Sequence, residues 1–437
     1  MREIDIGEEI DARPLGGLQW LALILCSGVA LLDGFDVQII AHAGPVLSRE
    51  LAIPAARLGL VFSSGLVGMT LGLLILSPFA DRFGRKRTIE LSVLLFGVFT
   101  LLTAFVRSFE QLLILRVLAG LGLGGALPNI VVLMTEFTPR RLRNLTVAAV
   151  FLGFPLGGMA SGLLAGQIIP TLGWRPLFLI GGVLPLLLLV VLLRYLPESP
   201  RFLLGRGATR HAALHRLLNR MGVPVDTDAR VTMGEDADQE APRLSVRRLF
   251  DPGYVLDTLR LWLIFFVNLM AMYMLISWIP SLLVQSGYDF ERAAVASVYL
   301  NLGGAIGPFA LAWIMARVST RVALGGYFLS AALCVLLIGQ FGQAPALVLA
   351  LTFLAGFFVF GNQVGINVLA TNTYPTAARS TGVGWALGIG RVGTILGPLI
   401  TGALVQLQLG MPVYFGVFAA ALLVAGVTIA TIRSTGR

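Results

Sequence analysis

The stretch Leu31-Leu32-Asp33-Gly34-Phe35-Asp36-Val37-Gln38-Ile39-Ile40 sets two carboxylates inside a run, residues 18–40, that is otherwise largely apolar. About 20 apolar residues at ~1.5 Å each cross a hydrocarbon core of roughly 30 Å, so this run is long enough to span a bilayer. Both acids then lie below the lipid surface. Acids at that depth are costly and are kept where they face a bundle interior or a water-filled path, pair with a cation, or carry protons. The i,i+3 spacing puts Asp33 and Asp36 on one helical face, as a single site.

Composition widens this from one segment to the whole chain. Of 437 residues, 57% are hydrophobic and 13% charged, with a mean hydropathy of +0.86. This is the composition of an integral membrane protein. The net charge of +9 is spread over short clusters between apolar runs, with no basic soluble domain, which excludes nucleic acid as a partner. Cys26 and Cys334 fall within apolar runs and read as small buried hydrophobes, with no disulfide or metal role. The tail, residues 1–17, is acidic and lacks a cationic region ahead of a short apolar core, so no cleaved signal peptide is expected.

Apolar runs of spanning length follow at 18–40, 56–79, 88–106, 111–135, 145–169 and 174–196, then at 259–284, 293–315, 322–341, 346–373, 382–406 and 411–432. Twelve transmembrane helices are the reading. Every second loop carries a cationic cluster: Arg82, Arg85, Lys86 and Arg87, then Arg140, Arg141 and Arg143, then the central loop, then Arg317 and Arg321, then Arg379. The positive-inside rule therefore sets the tail, the central loop and the C-terminus in the cytoplasm. The central loop, 197–258, separates a six-helix half at 18–196 from a second at 259–437. Within it, Leu214, Leu217, Leu218 and Met221 recur at helical spacing among Arg210, Arg216 and Arg220. That pattern fits either an amphipathic helix on the inner membrane face or a plain connector. The acidic, small-residue run 226–240 reads as flexible.

The halves repeat in parallel order. A displacement of 236 positions matches Leu118-Ala119-Gly120 with Leu354-Ala355-Gly356, Gly125 with Gly361, Pro139 with Pro375 and Arg143 with Arg379. Paired six-helix repeats with a site between them near the midplane are a transporter plan. The intramembrane charges are not repeated: Asp33 and Asp36 fall opposite Leu269 and Met272, and Arg391 opposite Pro155.

Those charges are the candidate site. Arg116 lies about 9 Å in from the outer end of the fourth span, and Asp36 and Asp33 about 7 to 12 Å in from that of the first. The matching depths make Arg116 the expected counter-ion of the aspartate pair, either within a titrating proton site or as a static ion pair. Arg391 lies about 15 Å into the eleventh span and has no acid on its own helix. It is expected to clamp an anionic substrate, since a guanidinium matches a carboxylate bidentately, or else to pair with an acid elsewhere in the bundle. Asn362, Gln363 and Asn367 on the tenth span and Trp385 on the eleventh complete the expected substrate site, with Tyr273, Trp278, Tyr299 and Phe358 as rings available for stacking or core packing. The run Gly120-Leu121-Gly122-Leu123-Gly124-Gly125 lies inside an apolar helix without a preceding strand, so it reads as close helix packing and not as a nucleotide loop. In Asp81-Arg82-Phe83-Gly84-Arg85-Lys86-Arg87, an acid and four cations surround a glycine turn, with Glu136 as the expected partner of a gate latch.

The same turn, from Ala80, resembles the loop signature between helices 2 and 3 of the major facilitator superfamily, with Ser77 where that pattern opens on glycine. Residues 116–125 resemble the superfamily's helix 4 motif, and Pro197-Glu198-Ser199-Pro200-Arg201 resembles the end of helix 6 in its sugar and organic-acid porters. The second-half copy of the turn, Ala316-Arg317-Val318-Ser319-Thr320-Arg321, keeps the cations and lacks the acid. The resemblance covers about 16–432 and implies an all-α fold of two pseudo-symmetric six-helix bundles. Asp33-Gly34-Phe35-Asp36 is similar to the helix 1 signature of the aromatic acid:proton symporter branch, and Gly388-Ile389-Gly390-Arg391-Val392-Gly393 to its helix 11. This implies transport roles for Asp33, Asp36, Asp81, Arg116, Glu136, Arg379 and Arg391, with Arg82, Gly84 and Arg85 in the gate.

The functional reading is a proton-coupled importer of a small aromatic carboxylate such as a hydroxybenzoate, monomeric, in a bacterial inner membrane. A proton-driven exporter of drugs or metabolites and a non-transporting sensor of aromatic acids are the alternatives. No cofactor, metal or enzymatic role is expected, because no phosphate loop, metal cluster or nucleophile with its base stands in the spans.

Overall fold

The computed structural model describes residues 3–204, 208–223, 230–232, 249–251, 253–342, 344–374 and 376–432. The first half holds α1 (Ile6–Asp11), α2 (Gly17–Glu50), α3 (Leu58–Phe83), α4 (Arg85–Thr103), α5 (Phe109–Phe137), α6 (Arg143–Leu172) and α7 (Arg175–Tyr195). A connector carries α8 (Pro200–Leu204) and α9 (Ala208–Arg220). The second half holds α10 (Val255–Gln285), α11 (Phe290–Met315), α12 (Thr320–Gln340), α13 (Pro345–Thr373), α14 (Thr376–Gln406) and α15 (Met411–Thr431). Helix ends on the side of the termini are called inner below, and the opposite ends outer.

Among the described residues, eleven helices have the length and hydropathy to cross a membrane, one fewer than the twelve spans expected. The difference is α4, whose 19 residues begin Arg85-Lys86-Arg87 and include Glu90. Large exposed side chains on the long helices are apolar, as at Ile24, Leu74, Leu172 and Val190. A lipid solvent favours this, because it satisfies no polar group.

The first span is longer than its apolar run. Polar residues from His42 onward end the run on paper, yet α2 continues unbroken through Gly44 and Pro45 to Glu50, for 34 residues. Asp33 therefore stands halfway along the helix, and the shallow depth expected for the two carboxylates is corrected accordingly.

Small residues set the packing. A Cβ on Gly68 or Gly72 of α3 would overlap the backbone of Val117 or Leu121 in α5, and one on Gly120 or Gly124 would overlap Gly65 or Met69 in return. The glycine run is a helix contact surface. The second half repeats the device between α11 and α13, where Gly303, Gly307 and Gly356 have no room for a Cβ against Phe353, Phe357 and Leu300. Contacts at backbone distance supply the dispersion that lipid-solvated helices need, since no hydrophobic force drives them together.

The halves meet at their outer ends and part at their inner ends. Gly59 of α3 abuts Pro398, and Gly402 abuts Ala56. Ser63 donates to the Ile395 carbonyl at 2.7 Å, and Phe62 packs edge-on against Trp278 at 5.4 Å between ring centroids. Further in along the same face of α14, a Cβ on Gly384 or Gly388 would meet nothing within 4 Å. This is an inward-open arrangement.

The connector is not laid on the membrane by its apolar face. Leu214, Leu217, Leu218 and Met221 of α9 are buried in one cluster with Ile6 and Ile10 of α1. Strand β1 (Glu3–Asp5) pairs in parallel with β2 (Arg230–Thr232), and Asp11 binds the Arg140 backbone N–H at 2.6 Å. Apart from those strand residues, the expected flexible run 226–240 lies outside the described residues.

Gly124→Ala should lower the thermal unfolding midpoint of the purified protein, because its methyl meets the Met69 carbonyl and overpacking costs about 1 to 3 kcal/mol. Gly388→Ala should leave the midpoint unchanged or raise it slightly, since its methyl enters open space and alanine favours the helix interior.

Candidate functional site

Three helices of the first half fix Asp36. Arg116 of α5 reaches it with Nη1 at 3.3 Å from Oδ2. Thr100 of α4 donates its hydroxyl to Oδ1. Arg116 Nη2 in turn donates to Thr100 Oγ1 at 3.0 Å and to Thr103 Oγ1 at 3.2 Å. The guanidinium also lies over the Phe178 ring at 5.3 Å, a cation–π contact that α7 supplies. Asp36 is 1% exposed and Arg116 3%. Each charge is thus desolvated and compensated, the condition a buried pair requires. A cavity of about 30 Å³ between α2, α3 and α5 has Asp36, Met69 and Arg116 in its wall, which is room for a water or two and none for a ring.

Asp33 is treated differently. It is 1% exposed, and neither of its carboxyl oxygens has a hydrogen-bond partner. Two charges act on it through space, the repulsive Asp36 one turn away and the attractive Arg391 from the other half. Sequence spacing treats the two aspartates as one site. The structure divides them into a locked acid and a bare one.

Arg391 points from α14 across the interface toward the first half. Its Nη1 stands 3.8 Å from Met69 Sδ on α3, and the Tyr273 hydroxyl of α10 lies against its guanidinium. Among the described residues no carboxylate comes within the 4 Å of an ion pair with it. The open face of α14 toward the inner side leads to this cation.

The other expected substrate residues are dispersed. Gln363 accepts from Asn268 of α10 at 3.1 Å and is partly exposed, as is Asn367. Asn362 is fully buried with neither amide atom paired. Trp385 does not join Arg391: six residues earlier on one helix, it is rotated about 120° away, and it stacks on Trp262 at 6.0 Å between centroids. Trp278 is buried in the outer closure against Phe62, and Phe358 packs edge-on to Tyr327.

The turn between α3 and α4 forms a network with the first half and the start of the connector. Arg85 binds Asp81 at 3.1 Å and approaches Glu136 of α5 at 3.8 Å. Glu136 accepts the Ser199 hydroxyl, and Glu198 accepts the Lys86 backbone N–H at 3.1 Å. Gly84, at φ 103°, has a conformation and a contact with the Glu198 carboxylate that leave no space for a Cβ. Arg82 lies over Phe83 at 5.4 Å. Arg379 is exposed at the inner end of α14. With the halves parted here, Asp81 is 75% exposed. Thr100, Thr103, Asn268 and Met69 are absent from the expected site. A threonine pair at i,i+3 in an apolar helix is the one signal for the first two.

Among the described residues, no group of three or more His, Cys, Asp and Glu is arranged to hold a metal ion. A family model described as the Major Facilitator Superfamily matches residues 26–386 and 293–435. The chain is 38% identical to a gallate transporter of Pseudomonas putida, over 99% of this chain and 97% of that protein. It is 39% identical to the 4-hydroxybenzoate transporter PcaK of the same species, over 91% and 88%. A 3-(3-hydroxy-phenyl)propionate transporter of Escherichia coli is 35% identical over 95% and 94%. Among solved structures, the inward open conformation of the xylose transporter XylE from E. coli matches with a TM-score of 0.74 at 16% identity, over 95% of this chain and 97% of that one.

Arg116→Gln leaves Asp36 buried and uncompensated and should destabilise the protein by about 3 to 5 kcal/mol. The double variant Asp36→Asn with Arg116→Gln should recover most of that loss, read as thermal unfolding midpoints in one detergent.

Proposed function

Because the chain belongs to the Major Facilitator Superfamily, we propose that it is a proton-coupled importer of a small aromatic carboxylate, of the hydroxybenzoate kind, working by alternating access. The observation that carries this reading is the bare Asp33 carboxyl, buried at the centre of α2 with Arg391 as the cation facing it from the opposite half. The names of the relatives, which carry gallate, 4-hydroxybenzoate and 3-(3-hydroxy-phenyl)propionate, support the substrate class.

The chemistry follows from one cation serving two anions. In the substrate-free protein the field of Arg391 offsets part of the cost that burial and the neighbouring Asp36 place on a charge at Asp33. A substrate carboxylate that takes the planar donors of Arg391 removes that compensation and sets a second negative charge near the first. A proton on Asp33 resolves the conflict, as it does wherever two carboxylates share a site. Substrate anion and proton then cross together as a neutral pair. Asp36 holds its shape throughout, because Arg116, Thr100 and Thr103 fix it within the first half. Tyr273 supports the carboxylate end, and Gln363 and Asn367 offer amides to ring substituents. The network of Asp81, Gly84, Arg85 and Glu136 braces the inner ends of α3, α4 and α5 and is available to the second half when the inner side closes. The carrier works as a monomer in a bacterial inner membrane, with both termini in the cytoplasm beside the cationic clusters at Arg82–Arg87 and Arg140–Arg143.

Proteoliposomes with an acid exterior should accumulate labelled 4-hydroxybenzoate. Asp33→Asn should lose accumulation and keep exchange of labelled for unlabelled substrate, since exchange needs no net proton movement. Arg391→Gln should weaken binding roughly 10- to 100-fold, the loss of a charge-assisted contact. Failure to accumulate any aromatic acid, with efflux under the opposite gradient, would make the protein an exporter. Binding without exchange in the wild type would make it a sensor.

A further inference from the structure

The outer closure contains a reciprocal buried side-chain pair between the halves that neither proton nor substrate chemistry uses. Gln38 of α2 donates Nε2–H to Asn301 Oδ1 at 3.0 Å, and Asn301 of α11 returns Nδ2–H to Gln38 Oε1 at 2.7 Å. Gln38 is 1% exposed and Asn301 0%. Asn301 is aimed by a second bond, from Nδ2 to the Ser297 carbonyl at 2.8 Å. Gly158 of α6 forms the floor: a Cβ there would overlap the Gln38 amide nitrogen and crowd Asn301 Oδ1. A reciprocal amide pair satisfies both side chains only while the halves stay in this register.

One turn outward on each helix the seam is polar but unsatisfied. His42 is fully buried with neither ring nitrogen paired, and Ser297 Oγ has no partner. Ser281 Oγ, beside Gly44 on the same side, has none either. Buried polar atoms without partners favour any state that hydrates them, whereas the satisfied amide pair favours the dry one. Opposed terms of this kind make an interface with two discrete arrangements.

We propose that Gln38 and Asn301, seated on Gly158, are the latch of the outer gate, and that breaking this pair lets water reach His42 and Ser297 as the carrier turns outward. Both are positioning residues. They set which side is open and touch no substrate. Gln38 is two residues from Asp36 on one rigid helix, so movement of α2 is shared by the gate and the proton site.

The test uses the full chain in proteoliposomes, with Ser297→Cys as the reporter and a membrane-impermeant maleimide added outside. Cys26 and Cys334 are buried. Gln38→Ala and Gly158→Ala should each speed labelling roughly tenfold, the scale of leaving a buried amide unpaired. The exchanged pair Gln38→Asn with Asn301→Gln should bring the rate back to that of the reporter alone. Unchanged labelling in Gln38→Ala and Gly158→Ala overturns the proposal, as does an exchanged pair that labels as fast as Gln38→Ala. If Gln38→Ala does not reconstitute, Gly158→Ala decides alone. Labelling needs no substrate, so its outcome stands apart from that of the uptake assay.

Discussion

Two carboxylates one turn apart on the buried middle of a helix cannot both be left without compensation, and the architecture around α2 answers this unequally. Asp36 receives a guanidinium, a hydroxyl and a fixed geometry from its own half. Asp33 receives only the field of a cation carried by the other half. A charge whose compensation crosses a moving interface is sensitive to everything that happens at that interface. This asymmetry is the source of the proposed coupling. A fully paired site would be a structural ion pair, and an uncompensated one would not stay ionised in a low-dielectric interior.

The rest of the fold serves to keep one interface rigid and the other divisible. Within each half, glycines bring α3 against α5 and α11 against α13 at backbone distance. Between halves, the glycine contacts described stand at the outer ends, at Gly59 and Gly402, together with the reciprocal amide pair of Gln38 and Asn301. Inward of Arg391 the halves are apart, and the cationic turn after α3 keeps the ion pair of Arg85 with Glu136 and the hydrogen bond of Lys86 to Glu198 in the connector. The tail and connector add a folded pad, α1 against α9, on the inner face of the first half.

Much of this is legible in the sequence because the bilayer makes polarity expensive. Asp33, Asp36, Arg116 and Arg391 stand out for being charged where lipid should be, and the glycine run announces close packing by having no other use in a helix. What stays hidden has particular causes. His42, Ser48 and Arg49 end the apolar run on paper, but the continuation of α2 to Glu50 is held by partners far along the chain, such as Trp174 with Glu50 at 2.6 Å. Thr100 looks like any small residue of an apolar helix until Arg116 turns toward it. Trp385 shares a helix with Arg391, and only the rotation about the helix axis separates their surroundings. The apolar stripe of α9 fits a membrane surface as well as it fits α1, since periodicity identifies a face and not its occupant. Gln38 and Asn301 are 263 positions apart and lie off the repeat, so no local pattern joins them.

If coupling works in this way, the bare acid, and not its paired neighbour, takes the proton when cargo arrives. Calorimetric titration of 4-hydroxybenzoate into the purified carrier, repeated in buffers of different ionisation enthalpy, counts protons taken up on binding. Net uptake is expected in the wild type and in Asp36→Asn, with its loss in Asp33→Asn. Undiminished uptake in Asp33→Asn would contradict the assignment.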